Sequence, residues 1–371
     1  MSTTMPADSG IQQSNLTNPV PSPIDNSEIP GPMESPRTEQ SENLSPPKIT
    51  PVLADSEILN SQCQPEVPEE SNISWSNYEK ISKLGQGSFA NIYKVKCLQT
   101  SKYFAAKVID KVQSDRLDIT KRLKQEIEIL EQTDHPGIIK IFDHFENDLE
   151  LVLILELFEQ GTLHNLKTKV IHFNENLAAC YVYQLLLILK YLQSYELYCE
   201  GRKVVHRDIK LENLLVTSNE DVRKIVLTDF GWGAYVNTNE RRYTFCGTLE
   251  YLCPEMIKNC GHDDKLDIWS LGVMTYELIL GKTPFALPMQ SPEEYRRQTC
   301  YNILAGEINL ENEMMTTSCK DLIYIMLEKE PSLRQTPRDL LRHRWFRERL
   351  SQQDIDHFKD YDIQFDDTIS K

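Results

Sequence analysis

The pattern of apolar and polar residues divides the chain into a polar beginning, a strand-rich part and a helix-rich part. One charged helical pattern, at residues 118–131, lies among several short β-type runs. These runs are residues 81–84, 91–97, 103–109 and 151–155. After Gly161 the pattern becomes mostly helical, over residues 175–194, 265–280, 292–305, 317–327 and 336–341. Strands followed by helices favour an α+β arrangement of two lobes over an alternating parallel sheet.

The first 70 residues differ in composition from the rest of the chain. They contain 12 of the 19 prolines and no aromatic residue. Such a segment cannot bury enough apolar surface to offset the entropy of ordering, so we expect residues 1–72 to be a disordered Pro/Ser-rich tail. Its Ser-Pro and Thr-Pro pairs, at Ser22, Ser35, Ser45 and Thr50, leave two interpretations open: regulation by proline-directed kinases, or a plain spacer.

The net charge of −16 is concentrated at the two ends. Residues 1–70 carry 11 acids and two bases, and residues 351–371 carry six Asp and two Lys. The nearly neutral middle offers no basic face of the kind that nucleic-acid binding needs. We interpret residues 347–371 as an acidic C-terminal tail. Such an acidic surface suits basic peptide substrates, but it equally suits a solvated spacer.

The cysteines and the apolar runs indicate the cellular compartment in which we expect the protein. The nine cysteines form no CxxC pair and no Cys/His set with zinc spacing. The opening residues are polar, which predicts no secretory signal. The longest apolar run, residues 185–189, is far shorter than the roughly 20 residues that span a bilayer. We therefore expect a soluble intracellular protein with reduced thiols and no membrane partner.

A glycine-rich stretch, residues 84–92, lies between two strand-like runs. Glycines let a turn approach nucleotide phosphates closely and expose backbone N–H donors. The stretch alone is weak evidence, since Ala90 replaces a third glycine. Lys107 strengthens it, because an ammonium inside an apolar strand needs anionic partners. Glu126, 19 residues later on the helical segment, and the phosphates of ATP would supply them.

Two further motifs each follow an apolar run: HRDIKLEN at residues 206–213 and DFG at residues 229–231. With the glycine loop and Lys107, in this order, they resemble the protein-kinase fold. The resemblance implies a bilobal α+β fold, with a small antiparallel β-lobe that has one main helix and a larger, mostly helical lobe. The implied kinase domain covers residues 73–346. Its parts are a small lobe at about 78–155, a hinge at 156–161 and a large lobe at 162–346.

The resemblance also implies an ATP-dependent transferase that needs Mg²⁺. Asp208 would orient the substrate hydroxyl and take its proton, and Lys210 would neutralise the γ-phosphate. Asn213 and Asp229 would hold Mg²⁺. Position and charge do most of this catalysis, because the transferring phosphoryl group makes little covalent demand on the protein.

The nucleotide site implied by the resemblance draws on both lobes. Its expected residues are Leu84, Gly85, Gln86, Gly87, Ser88, Phe89, Ala90, Asn91, Ile92, Ala105, Lys107, Glu126, Glu156, Phe158, Leu215 and Asp229.

Other matches are expected to serve architecture rather than chemistry. Glu255, in Cys-Pro-Glu, should form a buried ion pair with Arg334. Asp267 should hold the backbone of the catalytic loop.

Within the kinases, three stretches resemble the Aurora family: LILEL at residues 153–157, DFGW at 229–232 and RRYTFCGTLEYL at 241–252. Trp232 is the most telling residue, since most kinases carry another residue there. The glycine loop looks slightly more like a polo-like kinase, so a polo-like or other Ser/Thr kinase is the alternative. A kinase-shaped scaffold without turnover is an alternative of another class. The presence of Lys107, Asp208, Asn213 and Asp229 together argues against a scaffold.

The Aurora resemblance implies a serine/threonine kinase for basic-motif protein substrates, acting in mitotic spindle or chromosome regulation. It implies a location in the cytoplasm, nucleus, spindle, centrosome or chromosomes. A monomeric catalytic subunit with an activator protein docked on its small lobe is also implied.

Four residues of the large lobe have expected roles by the same resemblance. Thr244 would be the activating phosphorylation site, with Tyr243 and Thr248 as the competing assignments. Glu212 and Glu277 would bind a substrate arginine two residues before the target. Thr248 would lie at the substrate and bond Asp208 and Lys210.

Overall fold

The computed structural model of the protein describes six segments of the chain. They are residues 74–87, 90–111, 119–194, 203–217, 224–236 and 247–363. The tail expected over residues 1–72, with its Ser-Pro and Thr-Pro pairs, lies outside these described residues, as do Ser88, Phe89 and Thr244.

Five antiparallel strands form the sheet of the small lobe. They are β1 (Tyr78–Gln86), β2 (Ala90–Cys97), β3 (Tyr103–Asp110), β4 (Ile141–Glu146) and β5 (Glu150–Leu155). Their order across the sheet is β1-β2-β3-β5-β4. Alternate residues of a strand point to opposite faces, so Ala106 and Val108 pack on one face while Ala105 and Ile109 pack on the other. The sheet therefore has two apolar faces, and each of them needs a cover.

A short 3-10 turn, Trp75–Asn77, covers part of the outer face of this sheet. The Trp75 ring packs edge-on against Phe145, with 5.4 Å between the ring centroids. Its Nε1 donates to Oε2 of Glu150 at 2.9 Å. The ammonium of Lys80 lies 3.8 Å from the centre of the same ring, close enough for a cation–π interaction. Trp75 thus ties the start of the domain to β1, β4 and β5.

Helix α1 (Ile119–Gln132) covers the opposite face. Leu123, Ile127 and Leu130 are buried and recur at spacings of four and three, which places them on one side of the helix. Glu126 is also buried, only 1% exposed, although it is charged. The charged helical pattern expected at residues 118–131 is thus one amphipathic helix that carries a carboxylate inward.

Helices dominate the large lobe, as the sequence predicts. They are α2 (Leu163–Val170), α3 (Glu175–Leu192), α4 (Pro254–Ile257), α5 (Lys265–Leu280), α6 (Pro292–Ala305), α7 (Thr317–Met326), α8 (Pro337–Leu340), α9 (Arg344–Arg349) and α10 (Gln352–His357). Helices α3 and α5 are buried on nearly all sides and form the centre of the lobe. None of the helices in the described segments is both long and apolar enough to cross a membrane.

Two small antiparallel pairs place the functional loops between the lobes. Strand β6 (Lys203–Val205) pairs with β9 (Ala234–Val236), and β7 (Leu214–Val216) pairs with β8 (Ile225–Leu227). The segment from β6 to β7 carries the HRDIKLEN motif, and the segment from β8 to β9 carries the DFG motif. Because β6 pairs with β9 and β7 pairs with β8, the two segments lie side by side.

A buried ion pair links α4 to the loop before α8 in the large lobe, as expected from the sequence. Arg334 donates to both carboxylate oxygens of Glu255, at 2.6 and 2.8 Å. Its side chain is fully buried, and its Nε donates to the carbonyl of Glu328 at 2.7 Å. The pair is bidentate, which is the strongest geometry for arginine and carboxylate.

The described residues after 346 remain packed on the domain. Phe358 is fully buried and Tyr361 is nearly so. The Tyr361 hydroxyl donates to the carbonyl of Ile225 at 2.8 Å, and Asp362 pairs with Lys190 at 2.7 Å. The last described residues are therefore packed on the large lobe.

This segment lies in the range 347–371 that we interpreted from the sequence as an acidic C-terminal tail, and residues up to 363 of that range are described. Ile355, Phe358 and Tyr361 are spaced by three residues and turn one apolar face toward the core. Aspartates dominate the charge count of residues 351–371, so this apolar face was not recognised in the sequence. The packing is tight, because a Cβ on Gly137 would lie 2.5 Å from the Tyr361 ring.

His135 joins this C-terminal segment to the loop after α1. Its Nδ1 accepts the N–H of Gly137 at 2.9 Å, so Nδ1 carries no proton. Its Nε2, 2.8 Å from the carbonyl of Tyr361, is then the donor. Burial lowers the pKa of His135 to about 4, in agreement with this neutral tautomer. Protonation of the ring would break the bond to Gly137.

Replacing Glu255 by Ala should lower the free energy of unfolding by about 3–5 kcal/mol, because Arg334 would remain buried without its carboxylate. Chemical denaturation of the wild type and the variant measures this change. Glu313→Ala, at an exposed position, is the control and should stay within about 0.5 kcal/mol. A loss below about 1 kcal/mol for Glu255→Ala would contradict the structural role of the pair.

Acid should weaken the fold through His135. Its pKa in the folded protein, about 4, lies below the unfolded value of about 6.5, so the stability it contributes is present above pH 6.5 and is lost as the pH falls toward 4. Between pH 7.5 and 5 the wild type should lose about 2 kcal/mol more than His135→Gln. Urea unfolding at the two pH values measures the difference. His172→Gln, at an exposed position, should follow the wild type, and equal losses in all three proteins would contradict the prediction.

Candidate active site

Lys107, on β3, lies between the two lobes. Its Nζ is 2.6 Å from Oε1 of Glu126 on α1 and 3.0 Å from Oδ1 of Asp229 in the DFG segment. The side chains of Lys107 and Glu126 are only 14% and 2% exposed, whereas that of Asp229 is 46% exposed. The ammonium therefore has the carboxylate partner expected from the sequence, and a second one that faces the open side of the site.

Lys107 and Asp229 hold each other in the ionised state. Burial by itself would lower the pKa of Lys107, but the carboxylates of Asp229 and Glu126 outweigh it and raise that pKa. The ammonium of Lys107 in turn lowers the pKa of Asp229 to about 2, against the opposing effect of burial. Asp229 is thus a carboxylate throughout the physiological range.

Asp267 holds the loop that carries the HRD motif. Its two carboxylate oxygens accept the backbone N–H groups of His206 and Arg207, at 2.8 and 2.9 Å. Arg207 has φ of 68°, in the left-handed region that residues other than glycine rarely adopt. The two hydrogen bonds from the fully buried Asp267 stabilise this strained turn, in the role expected from the sequence.

Asp208 lies at the centre of a hydrogen-bonded group. Lys210 Nζ is 2.8 Å from its Oδ2, and the hydroxyl of Thr248 donates to its Oδ1 at 3.1 Å. Lys210 Nζ also donates to the Thr248 hydroxyl at 2.8 Å, so the expected contacts of Thr248 are present. Asn213 Nδ2 donates to both the carbonyl and Oδ2 of Asp208, at 2.8 and 3.1 Å. The carboxylate is held in one orientation, beside an ammonium and a hydroxyl.

His206 contacts both the HRD segment and the DFG segment. Its Nδ1 accepts the N–H of Asp208 at 3.3 Å, so Nε2, 3.1 Å from the carbonyl of Thr228, is the donor. Burial lowers the pKa of His206, in keeping with this neutral ring. The ring packs edge-on against Phe230 of the DFG motif, with centroids 4.8 Å apart.

The residues predicted to bind the nucleotide lie on both sides of the hinge, residues 156–161. The glycine loop joins β1 to β2, and Gly87 N–H donates to the carbonyl of Ala90 at 2.8 Å. A Cβ on Gly85 would meet nothing within 4 Å, so the loop is open there. Ser88 and Phe89 lie outside the described residues.

The other described residues predicted to bind the nucleotide are Leu84, Gln86, Asn91 and Ile92 on β1 and β2, and Ala105, Glu156, Phe158 and Leu215 around the hinge. The Glu156 N–H donates to the carbonyl of Lys140 at 2.9 Å, which anchors the start of the hinge.

Asp229 and Asn213 present oxygen donors of the kind that Mg²⁺ prefers. The amide nitrogen of Asn213 is engaged by Asp208, which directs the amide oxygen elsewhere. Asp229 has φ of 65°, and its half-exposed carboxylate is ionised. These two side chains fit a magnesium ion that would draw its remaining ligands from phosphate oxygens and water.

Gly247 and Thr248, the first residues described after the gap at 237–246, lie against the HRDIKLEN segment. Gly247 has φ of 96°, and a Cβ there would lie 3.0 Å from the carbonyl oxygen of Arg207. Glycine thus permits the close approach that brings Thr248 to Asp208. Thr244, the predicted phosphorylation site, lies outside the described residues.

The two carboxylates predicted to bind a substrate arginine differ in their surroundings. Glu212 is 49% exposed, and His164 Nε2 is 4.0 Å from its Oε1. Glu277 is buried, and both of its oxygens already have partners, Lys167 and Tyr251. The structure therefore does not support Glu277 as an open arginine site.

Sequence reasoning missed Lys167 and the role of Trp232 beyond its value as a family marker. The carbonyl of Trp232 accepts Nε of Arg207 at 2.5 Å, and its ring lies 4.3 Å from the guanidinium of Arg122 on α1. No local signal pointed to these contacts, since each joins residues far apart in the chain. His164 and Lys167, three residues apart on one helix face, were the available hint of a basic edge.

The fold and the arrangement of Lys107, Glu126, Asp208 and Asp229 are those of a protein kinase. Residues 78–346 match the family described as Protein kinase domain. The Aurora kinase of Patiria pectinifera is 35% identical over 307 residues, which cover 81% of this chain and 71% of that protein. Serine/threonine-protein kinase Aurora-1 of Arabidopsis thaliana is 36% identical over 271 residues, covering 73% and 86% respectively. Aurora kinase A-B of Xenopus laevis is 32% identical over 316 residues, covering 85% and 73%. The chain belongs to the Aurora family of protein kinases, which confirms the resemblance found in its sequence.

Proposed function

We propose that the protein transfers the γ-phosphoryl group of ATP to serine or threonine hydroxyls of protein substrates. The observation that carries this proposal is the Asp208 group. A buried carboxylate is oriented by Asn213, bonded to Lys210 and Thr248, and placed beside the segment that carries Asp229. Family membership supports the same reaction.

In this reaction Asp208 positions the substrate hydroxyl and receives its proton. The hydroxyl oxygen forms a bond to the γ-phosphorus as the bond from that phosphorus to the β–γ bridging oxygen breaks, and ADP leaves. Lys210 neutralises charge on the γ-phosphate, and Lys107 binds the α- and β-phosphates while Glu126 holds its ammonium in place. Asn213 and Asp229 would hold magnesium, which when bound would supply positive charge to neutralise the phosphate oxygens. The glycine loop covers the phosphates with backbone N–H groups.

The proposed substrates are proteins with an arginine before the target residue, for which the half-exposed Glu212 offers a carboxylate. By analogy with its Aurora relatives, we assign the kinase to mitotic spindle or chromosome regulation. We also propose a monomeric catalytic subunit that binds an activator protein on its small lobe.

Asp208→Asn and Lys107→Met should each lower kcat by at least about 100-fold while the protein stays folded. The first loses the proton acceptor, and the second loses the phosphate clamp. Phosphoryl transfer from radiolabelled Mg-ATP to a basic peptide measures the loss, and circular dichroism checks the fold. Asp356→Asn and Lys102→Met, both at exposed positions, are the matched controls. Retention of more than about a tenth of wild-type kcat would refute the assigned role, and a wild type without turnover would favour the scaffold alternative.

Thr244 should be the activating autophosphorylation site. A phosphate there adds about two negative charges, which can recruit Arg207 and order the segment that ends at Thr248. Mass spectrometry of protein incubated with Mg-ATP should locate the phosphate on Thr244, and Thr244→Ala should be much less active than the wild type. Tyr243→Phe is the neighbouring control. A phosphate located elsewhere, or normal activity of Thr244→Ala, would exclude the assignment.

A further inference from the structure

A lysine fills the space in front of the buried carboxylate of Glu277. Nζ of Lys167, on α2, is 2.5 Å from Oε1 of Glu277, on α5. The hydroxyl of Tyr251 donates to the other oxygen, Oε2. The side chains of Lys167 and Glu277 are only 13% and 11% exposed. The carboxylate is therefore fully engaged by residues of the protein itself.

This ion pair lies next to the place where a substrate must bind. Tyr251 follows Thr248 by one short 3-10 turn, and Thr248 bonds Asp208. Tyr251, Thr248 and Asp208 line the same small cavity beside the catalytic loop. The hydroxyl of Tyr251 thus links the Lys167–Glu277 pair to the cavity where a substrate hydroxyl would reach Asp208.

The same helix face approaches a second carboxylate of this region. His164, one turn before Lys167 on α2, has its Nε2 4.0 Å from Oε1 of Glu212. Glu212 remains 49% exposed, whereas Glu277 is buried. The two carboxylates near the catalytic loop thus differ: Glu212 is accessible to a ligand, and Glu277 is neutralised by Lys167.

A basic substrate side chain gains little from Glu277 while Lys167 is in place. To reach the carboxylate it would have to displace an ammonium that already makes a charge-assisted hydrogen bond, so one ion pair would replace another. The displaced ammonium would also have to be solvated or paired again. Without Lys167, an arginine would instead supply a partner to a carboxylate that has only the Tyr251 hydroxyl.

We propose that Lys167 is a specificity-determining residue: it occupies the Glu277 pocket from within and so suppresses selection for arginine in the substrate. This inference rests on the proposed kinase activity and refines its substrate class. The wild type then selects arginine mainly through Glu212, and its preference is weaker than two open carboxylates would produce.

The test measures arginine preference as a ratio. Serine peptides carrying one arginine at each successive position before the serine are compared with their alanine parent, and kcat/KM is measured for each pair. Lys167→Met, which keeps the length of the side chain and removes its charge, should raise the ratio about tenfold over the wild type at one position, two residues before the serine. Lys167→Ala, which vacates the space, should shift the ratio in the same direction. Because both peptides are assayed on one preparation, partial unfolding of a variant cancels from the ratio.

Two further variants separate this effect from a general change of charge. Lys169→Met removes a lysine from the exposed side of the same helix and should leave the ratio at its wild-type value. The double variant Lys167→Met/Glu277→Gln should lose the preference gained by Lys167→Met, because the receiving carboxylate is gone. An unchanged ratio in both Lys167 variants would overturn the proposal, and so would a double variant that keeps the gained preference.

Peptide binding distinguishes this inference from the proposed function. Fluorescence anisotropy gives the dissociation constants of labelled arginine and alanine peptides for the wild type and for Lys167→Met. Tighter binding of the arginine peptide to Lys167→Met supports the role of Lys167, and equal binding overturns it, whether or not phosphoryl transfer occurs. A wild type that transfers no phosphate to any peptide would refute the proposed kinase activity alone.

Discussion

The ammonium of Lys107 is placed in an apolar strand, where an unpaired charge would be too costly to bury. It therefore requires carboxylates, and they come from two separate parts of the chain: Glu126 on α1 and Asp229 after β8. Helix α1 must pack on the sheet with the side that carries Glu126 facing Lys107. The DFG segment must turn toward the small lobe for Asp229 to reach Lys107 as well. One buried cation thus fixes the positions of the sheet, the helix and the DFG segment relative to one another.

The large lobe positions its loop in a comparable way, through a buried carboxyl group. Asp267, on the central helix α5, has no exposed surface and accepts two backbone N–H groups of the HRD segment. Those bonds hold Arg207 at a positive φ, and the chain then delivers Asp208, Lys210 and Asn213 to one side of the cleft. A backbone strained in this way costs of order 1–3 kcal/mol. It persists only where other interactions of the folded protein hold it in place. The reactive geometry therefore depends on the rigid, buried position of α5.

The C-terminal segment and the Lys167–Glu277 pair show how this chain uses its own residues around the shared kinase core. Tyr361 and His135 join the end of the domain to the loop after α1, through two hydrogen bonds to a neutral imidazole. Lys167 meets Glu277 in a similar way, since a group of the protein satisfies a carboxylate that would otherwise face the substrate region. Both contacts are made by residues outside the catalytic motifs. The motifs by themselves therefore do not show how the C-terminal segment packs or which group engages Glu277.

The sequence by itself determined the order of strands and helices, the family, and the residues that form the phosphate-handling motifs. These features are local: the glycine loop, HRDIKLEN and DFG each occupy a few consecutive residues, and the apolar periodicity of α1 is visible in its own segment. It also allowed the Glu255–Arg334 pair and the contacts of Thr248 to be anticipated, through the family resemblance. Only the tertiary structure decided that the acidic end of the chain packs through Phe358 and Tyr361, and that Glu277 is taken by Lys167. Those outcomes depend on groups that are 110 residues apart in the case of Lys167 and Glu277, and 226 in the case of His135 and Tyr361. A charge count or a motif cannot show such contacts, because burial and pairing are properties of the packed chain.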